Sequence, residues 1–224
     1  MAALRGAGLR LMDWPTTEAE AIAVQDQLRS QVDPTDAPGV VRHVAGLDVA
    51  YDGDRLAAAV VVLDRATLDE VDRAVVVGET TFPYIPGLFA FREIPGLLAA
   101  IDQLRTTPDL LVCDGQGLAH PRRFGLACHL GVLTGIPSIG VAKNAFVGTH
   151  AELDRERGAT AALVDDDEVV GAALRTQDGV KPVYVSIGHR VSLATAVAHV
   201  LHLAPRYRLP ETTRLADRAC RDGL

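Results

Sequence analysis

Three β-rich runs, 44–51, 56–63 and 71–81, follow one another with only Asp52-Gly53-Asp54 and the stretch 65–70 between them. Connectors this short leave no room for a crossover, so the runs are expected to pair antiparallel as a meander. The pattern then changes. A helical spacing over 91–104 puts Ile94, Leu97, Leu98, Ile101 and Leu104 on one face, with Pro95 expected in its first turn. An apolar strand at 109–114, a helix at about 125–134 and a second apolar strand at 138–142 follow, and such alternation implies parallel pairing through right-handed crossovers.

Around this centre, Thr17-Glu18-Ala19-Glu20 has capping-box spacing before Ala21, Val24, Leu28 and Val32, which predicts an opening amphipathic helix. The stretches 168–175 and 183–187 read as strands, and 190–203 and 211–220 as helices; 144–168 reads as a loop. The expected class is α/β, a mixed sheet with flanking helices, and its order is similar to the ribonuclease H-like fold. That resemblance implies that the first and fourth strands are parallel neighbours at the middle of the sheet.

At 224 residues and 48% apolar content the chain suits one domain spanning 1–224. Arg5 and Arg10 are followed by no sustained apolar run, so neither a signal peptide nor a membrane span is expected, and a cytoplasmic location is. Cys113, Cys128 and Cys220 have no metal spacing and read as reduced packing residues. A net charge of −7 argues against a nonspecific nucleic-acid coat, though not against a local basic groove. Nothing in the sequence calls for an obligate protein partner.

Asp48 lies within an apolar strand, where an ionised side chain is costly unless paired, and Asp114 ends another. If the two strands are adjacent, their backbones lie roughly 4.8 Å apart and both carboxylates can meet one hard cation, Mg²⁺ or Mn²⁺. Glu93, at the start of the joining helix, could hold a metal-bound water. His189, before the next helix, could ligate or take a proton from water, and Lys143, just past the strand 138–142, could stabilise charge on phosphorus. Each residue alone has an ordinary reading: a satisfied strand acid, a first-turn helix acid, a solvated lysine, a helix-start histidine. The case rests on their convergence.

Other signals are weak. Asp52-Gly53-Asp54 is the composition of a hairpin turn, and the acids 165–167 read as a solvated connector. Gly115-Gln116-Gly117 lacks the third glycine of a dinucleotide fingerprint, the remaining histidines share no zinc spacing, and no serine-hydrolase elbow is present. A sugar-kinase-like ATP site would need duplicated glycine-rich halves. An inactive nucleic-acid binding module would leave acids facing a phosphate track with no cation.

The segments Val44-Ala-Gly-Leu-Asp48, Phe82-Pro-Tyr-Ile-Pro-Gly87, Phe91-Arg-Glu93, Asp114-Gly-Gln-Gly-Leu-Ala-His-Pro-Arg122, Gly140-Val-Ala-Lys143, Gly188-His189 and Leu209-Pro-Glu-Thr-Thr-Arg214 together resemble endonuclease V, the deoxyinosine 3′ endonuclease family. The resemblance implies recognition of hypoxanthine in DNA, or in RNA, and hydrolysis of the second phosphodiester bond 3′ to it. It also implies Mg²⁺ held by Asp48 and Asp114, with Glu93 and His189 acting through water and Lys143 at the phosphate. Tyr84, stiffened by Pro83 and Pro86 and flanked by Ile85, would be a wedge filling the space of an extruded base. The base would meet main-chain groups around Gly115 and Gly117, enclosed by Phe89, Gly125, Leu126 and Phe146. His120, Arg122 and Arg123 would support that loop or touch phosphate.

Overall fold

The computed structural model describes residues 14–37 and 39–224, so Arg5 and Arg10 lie outside the described residues. The meander is present as β1 (His43–Asp52), β2 (Arg55–Asp64) and β3 (Glu70–Glu79), the last ending two residues earlier than expected. Gly53 takes φ +61 in the β1–β2 turn, the left-handed conformation that a tight hairpin requires, so Asp52 and Asp54 serve the turn. β4 (Leu110–Asp114) runs parallel to β1, and β5 (Ser138–Ala142) parallel to β4. With β6 (Thr160–Asp165), β7 (Glu168–Leu174) and β8 (Val183–His189), one sheet of eight strands results, in the order β3-β2-β1-β4-β5-β8-β7-β6.

Period-two alternation assigns each strand residue to one of two cores. On β2, Leu56, Ala58, Val60 and Val62 pack with α2 (Ala90–Gln103) and α3 (Leu126–Thr134). Ala57, Ala59, Val61 and Leu63 face α5 (Glu211–Gly223) through Ala216, Ala219 and Cys220. α4 (Leu193–Leu203) covers the same side of the sheet over β4, β5 and β8. α1 (Glu18–Leu28) begins with the expected capping box and buries Ala21, Gln25 and Leu28.

Three local expectations are corrected. Pro95 lies inside α2, beyond its first turn, and deprives the Phe91 carbonyl of its helical donor. Trp14 Nε1 donates to that carbonyl at 2.9 Å instead. The supposed loop 144–168 contains β6, which pairs with β7 through a turn whose Asp166 and Asp167 both take positive φ, the mirror-image turn that suits a twisted hairpin. α4 starts later than residue 190 because Arg190 has φ +51 and Ser192 is the cap, accepting from the Thr195 N–H.

Candidate active site

The parallel register pairs Leu47 with Cys113, so Asp48, midway along β1, and Asp114, the last residue of β4, are the next residues in line. Ala45, Leu47 and Val49 belong to the α2–α3 core and Val44 to the other, so alternation turns Asp48 toward the α4–α5 side. On β4, Leu110 and Val112 belong to that same side, and Asp114 continues their face. The two acids line one cleft of about 510 Å³ with Tyr51, Lys143, Asp217 and Arg221. Lys143, one residue past β5, donates to Asp114 Oδ2 across 2.6 Å.

Glu93 reaches this end of the sheet from α2 and is only 9% exposed. Tyr51 Oη donates to its Oε1 at 3.2 Å, and Arg92 covers the Tyr51 ring at 5.1 Å. Burial first, and the charge of Asp114 second, push the Asp48 carboxyl up to about 7. Burial and the charge of Asp48 raise Glu93 well above the usual carboxylate range. Asp48 and Glu93 are therefore both held toward their neutral forms. Among the described residues, no three His, Cys, Asp or Glu side chains are gathered into a ready metal cage, and Lys143 engages one oxygen of Asp114.

His189 is not brought to this cluster. β8 runs antiparallel to β5, so Tyr184 lies beside Ala142, whereas His189 lies beside Ser138 at the opposite end. There its Nδ1 accepts the Asp33 N–H at 3.2 Å. Asp217 of α5 lines the cleft in its stead, held by Arg221 Nε at 3.0 Å. The motif Leu209–Arg214 ends three residues short of it. A signal existed: Gly46 on β1 sits where a Cβ would collide with the Thr212 carbonyl, so α5 is pressed onto the strand that carries Asp48.

The turn around Tyr84 stands out from the surface, with Tyr84 72% exposed, Pro83 exposed and Ile85 half-buried. Arg92 Nη1 donates to Phe82 O at 2.9 Å and so anchors the start of the turn. Its other end, Gly87, adopts φ +80, and its carbonyl accepts from His120 Nε2 at 2.9 Å and Arg122 Nη2 at 3.0 Å. Both side chains thus brace the turn that carries Tyr84. Arg123 is engaged by Asp165 and Glu168 at 2.9 and 2.6 Å, so the acidic connector neutralises it.

The expected base-receiving residues form one neighbourhood with a change of detail. A Cβ on Gly115 would lie 3.3 Å from Phe89 and 3.4 Å from Leu126, and one on Gly125 would strike the Gln116 carbonyl. Phe146 is 44% exposed, its ring 5.6 Å from that of His120. The main-chain groups of Gly117, however, are already used: its N–H donates to Ser186 Oγ at 2.8 Å, and its carbonyl accepts the Gly125 N–H at 3.0 Å. The Gly117 N–H is thus committed to the fold, and its carbonyl keeps one lone pair.

A groove of about 600 Å³ lies elsewhere, lined by Asp36, Arg65, Asp109, Arg190 and His199. Its acids are already bonded, Asp36 to Ser192 and Asp109 to the Arg42 and His43 amides. Its size therefore does not make it the reactive centre. Cys113, Cys128 and Cys220 are buried free thiols, as expected of packing residues. No described helix is long and apolar enough to cross a membrane.

Residues 26–218 match the family model for Endonuclease V. Endonuclease V from Nocardia farcinica is 62% identical over 213 residues, covering 94% of each chain. The crystal structure of Endonuclease V from Streptomyces avermitilis superposes with a TM-score of 0.90 at 58% identity, covering 95% of each chain. Endonuclease V from Ciona intestinalis, in complex with a 24mer DNA containing an inosine followed by a ribo-adenosine, gives a TM-score of 0.79 at 27% identity, covering 92% of this chain and 96% of that one. With matches of this extent, and with the acids of β1 and β4 brought to one end of a ribonuclease H-like sheet, the chain belongs to the endonuclease V family of nucleases.

Proposed function

We propose that this protein is a divalent-cation-dependent endonuclease that recognises deoxyinosine in DNA and hydrolyses the second phosphodiester bond 3′ to it, leaving a 3′-hydroxyl and a 5′-phosphate. The observation that carries this reading is the convergence of Asp48, Asp114 and Asp217 in one cleft, with Glu93 buried beside them. The Ciona intestinalis relative bound to inosine-containing DNA supports the choice of lesion.

The donor set suits Mg²⁺, with Mn²⁺ as a substitute. It consists of hard carboxylate oxygens, and burial together with the charge of Asp114 drives Asp48 toward protonation. Asp48 and Asp114 would hold the ion, with Asp217 completing the acidic wall. When bound, such an ion activates water and stabilises charge developing on the phosphate. Glu93, oriented by Tyr51, would hold the attacking water in place. Lys143, released from Asp114, would donate to a non-bridging phosphate oxygen.

Tyr84, projecting from a turn fixed at both ends, would fill the gap left in the stack when the inosine rotates out. Rigidity helps, since little ordering entropy is left to lose on binding. The extruded base would lie against Gly115, Phe89 and Leu126, with Phe146 and Gly125 at the margin. Extrusion costs a few kcal/mol and least for a poorly paired base, which favours inosine over intact adenine.

A 5′-labelled oligonucleotide with one inosine tests the reading. With Mg²⁺, the expected product ends one nucleotide beyond the lesion, and Asp48→Ala and Asp114→Ala yield none. Robust cleavage by either variant would remove the proposed metal site, and indifference to inosine would remove the proposed specificity. The same assay on inosine RNA ranks the two nucleic acids.

A further inference from the structure

Gln25 lies in the middle of α1, far in sequence from every segment of the site, yet its side chain is 0% exposed. A buried amide needs partners, and this one has them on two sides. Its Nε2 donates to Gly87 O at 3.0 Å and to Phe124 O at 3.1 Å, using both of its hydrogens. Its Oε1 accepts from Arg122 Nε, while Arg122 Nη2 donates to the same Gly87 carbonyl at 3.0 Å.

His120 completes the arrangement. Its Nδ1 accepts the Arg122 N–H at 3.1 Å, which leaves the proton on Nε2, facing Gly87 O at 2.9 Å. One carbonyl therefore receives three donors from two distant parts of the chain. Gly87 ends the turn that carries Tyr84, and Phe124 precedes Gly125, at the margin of the loop proposed to receive the base. Gln25 is the side chain that bonds to both. Because Arg92 fixes Phe82 at the start of the same turn, the segment between is held like a strut.

We propose that Gln25 is a positioning residue for base extrusion, locking the Tyr84 turn to the 120–125 loop so that the ring enters the stack at a fixed distance from where the base lands. The proposal rests on the inosine-endonuclease reading above. It differs from a purely structural role in what it selects: the strut matters when a duplex must be forced open and matters little when the strand is already single.

The full chain carrying Gln25→Leu, Tyr84→Ala or both is compared with the parent on inosine in duplex DNA and on the same strand alone. Gln25→Leu is expected to lower kcat/KM about tenfold on the duplex and less than about twofold on the single strand, and to add nothing in the Tyr84→Ala background. Equal losses on both substrates, or full additivity with Tyr84→Ala, would overturn the proposal. Should Gln25→Leu fail to fold, Gln25→Glu takes its place, since it keeps the acceptor for Arg122 and loses both donors. A parent that nicks neither substrate would count against the activity reading, and amide exchange then decides the strut: peptides over 82–92 and 118–126 should exchange faster in the variant, and unchanged exchange in both would overturn it.

Discussion

Lys143 Nζ sits 2.6 Å from Asp114 Oδ2, so the lysine proposed to serve the phosphate occupies an oxygen proposed for the cation. The two roles are exclusive in time. Lys143→Met should therefore bind Mg²⁺ several-fold more tightly without DNA while losing at least about tenfold in single-turnover cleavage. Calorimetric titration and quench-flow cleavage measure the two quantities. Weaker binding with unchanged cleavage would assign the lysine to holding the acid alone.

Asp48 is held near 7 by burial and by Asp114, against an unfolded value of about 3.9. Between those values the folded, metal-free protein keeps a proton that the unfolded chain has released. Its stability should fall as pH rises from about 4 to 7 and stay low above that. Asp48→Asn should remove most of this slope and stabilise the metal-free protein at pH 8 by about 1–3 kcal/mol. Urea melts without metal at several pH values test it, and saturating Mg²⁺ should raise the parent and not the variant.

His189 and Asp217 make opposite predictions about cleavage. His189 lies by Ser138 and bonds the Asp33 amide, so His189→Ala should cost about 1 kcal/mol of stability and change cleavage less than about twofold. Asp217 lines the cleft, and Asp217→Ala should cost at least about 10²-fold in cleavage at saturating DNA. A large loss with His189→Ala in a well-folded variant would return that residue to the mechanism.

His129 is 0% exposed, and neither ring nitrogen has a partner among the described residues; Trp14, Phe91 and Phe124 surround it. Burial lowers its imidazole to about 3, so below about 6.5 the unfolded chain takes up a proton that the folded one refuses. Stability from this group is present above that pH and is lost as pH falls toward 3. His129→Leu should flatten the acid limb and gain about 1 kcal/mol at pH 7. Thermal melts at pH 5 and 7 read both effects.

Trp14 Nε1 serves the carbonyl that Pro95 leaves without a donor. Trp14→Phe should cost about 1–3 kcal/mol, and Pro95→Ala should recover part of that loss by restoring a helical N–H. A double-mutant cycle by urea denaturation tests the coupling; additive losses would mean that water already serves the carbonyl.

Features fixed by neighbouring residues were readable from the chain itself. Apolar runs and short connectors specified the meander, strand and helix alternation specified the parallel centre, and proline spacing specified an exposed Tyr84. Asp48 and Asp114 stood out because an acid inside or at the end of an apolar strand needs a reason, and the family motifs named Glu93 and Lys143 beside them. Strand direction and helix placement are set by contacts between segments far apart in sequence, and these only the tertiary structure decided. The antiparallel run of β8 carried His189 away from the cleft, the docking of α5 on β1 brought Asp217 in, and the burial of Gln25 against Gly87 joined α1 to the Tyr84 turn. No local pattern encodes such pairings, because each depends on which face of one element happens to meet which face of another.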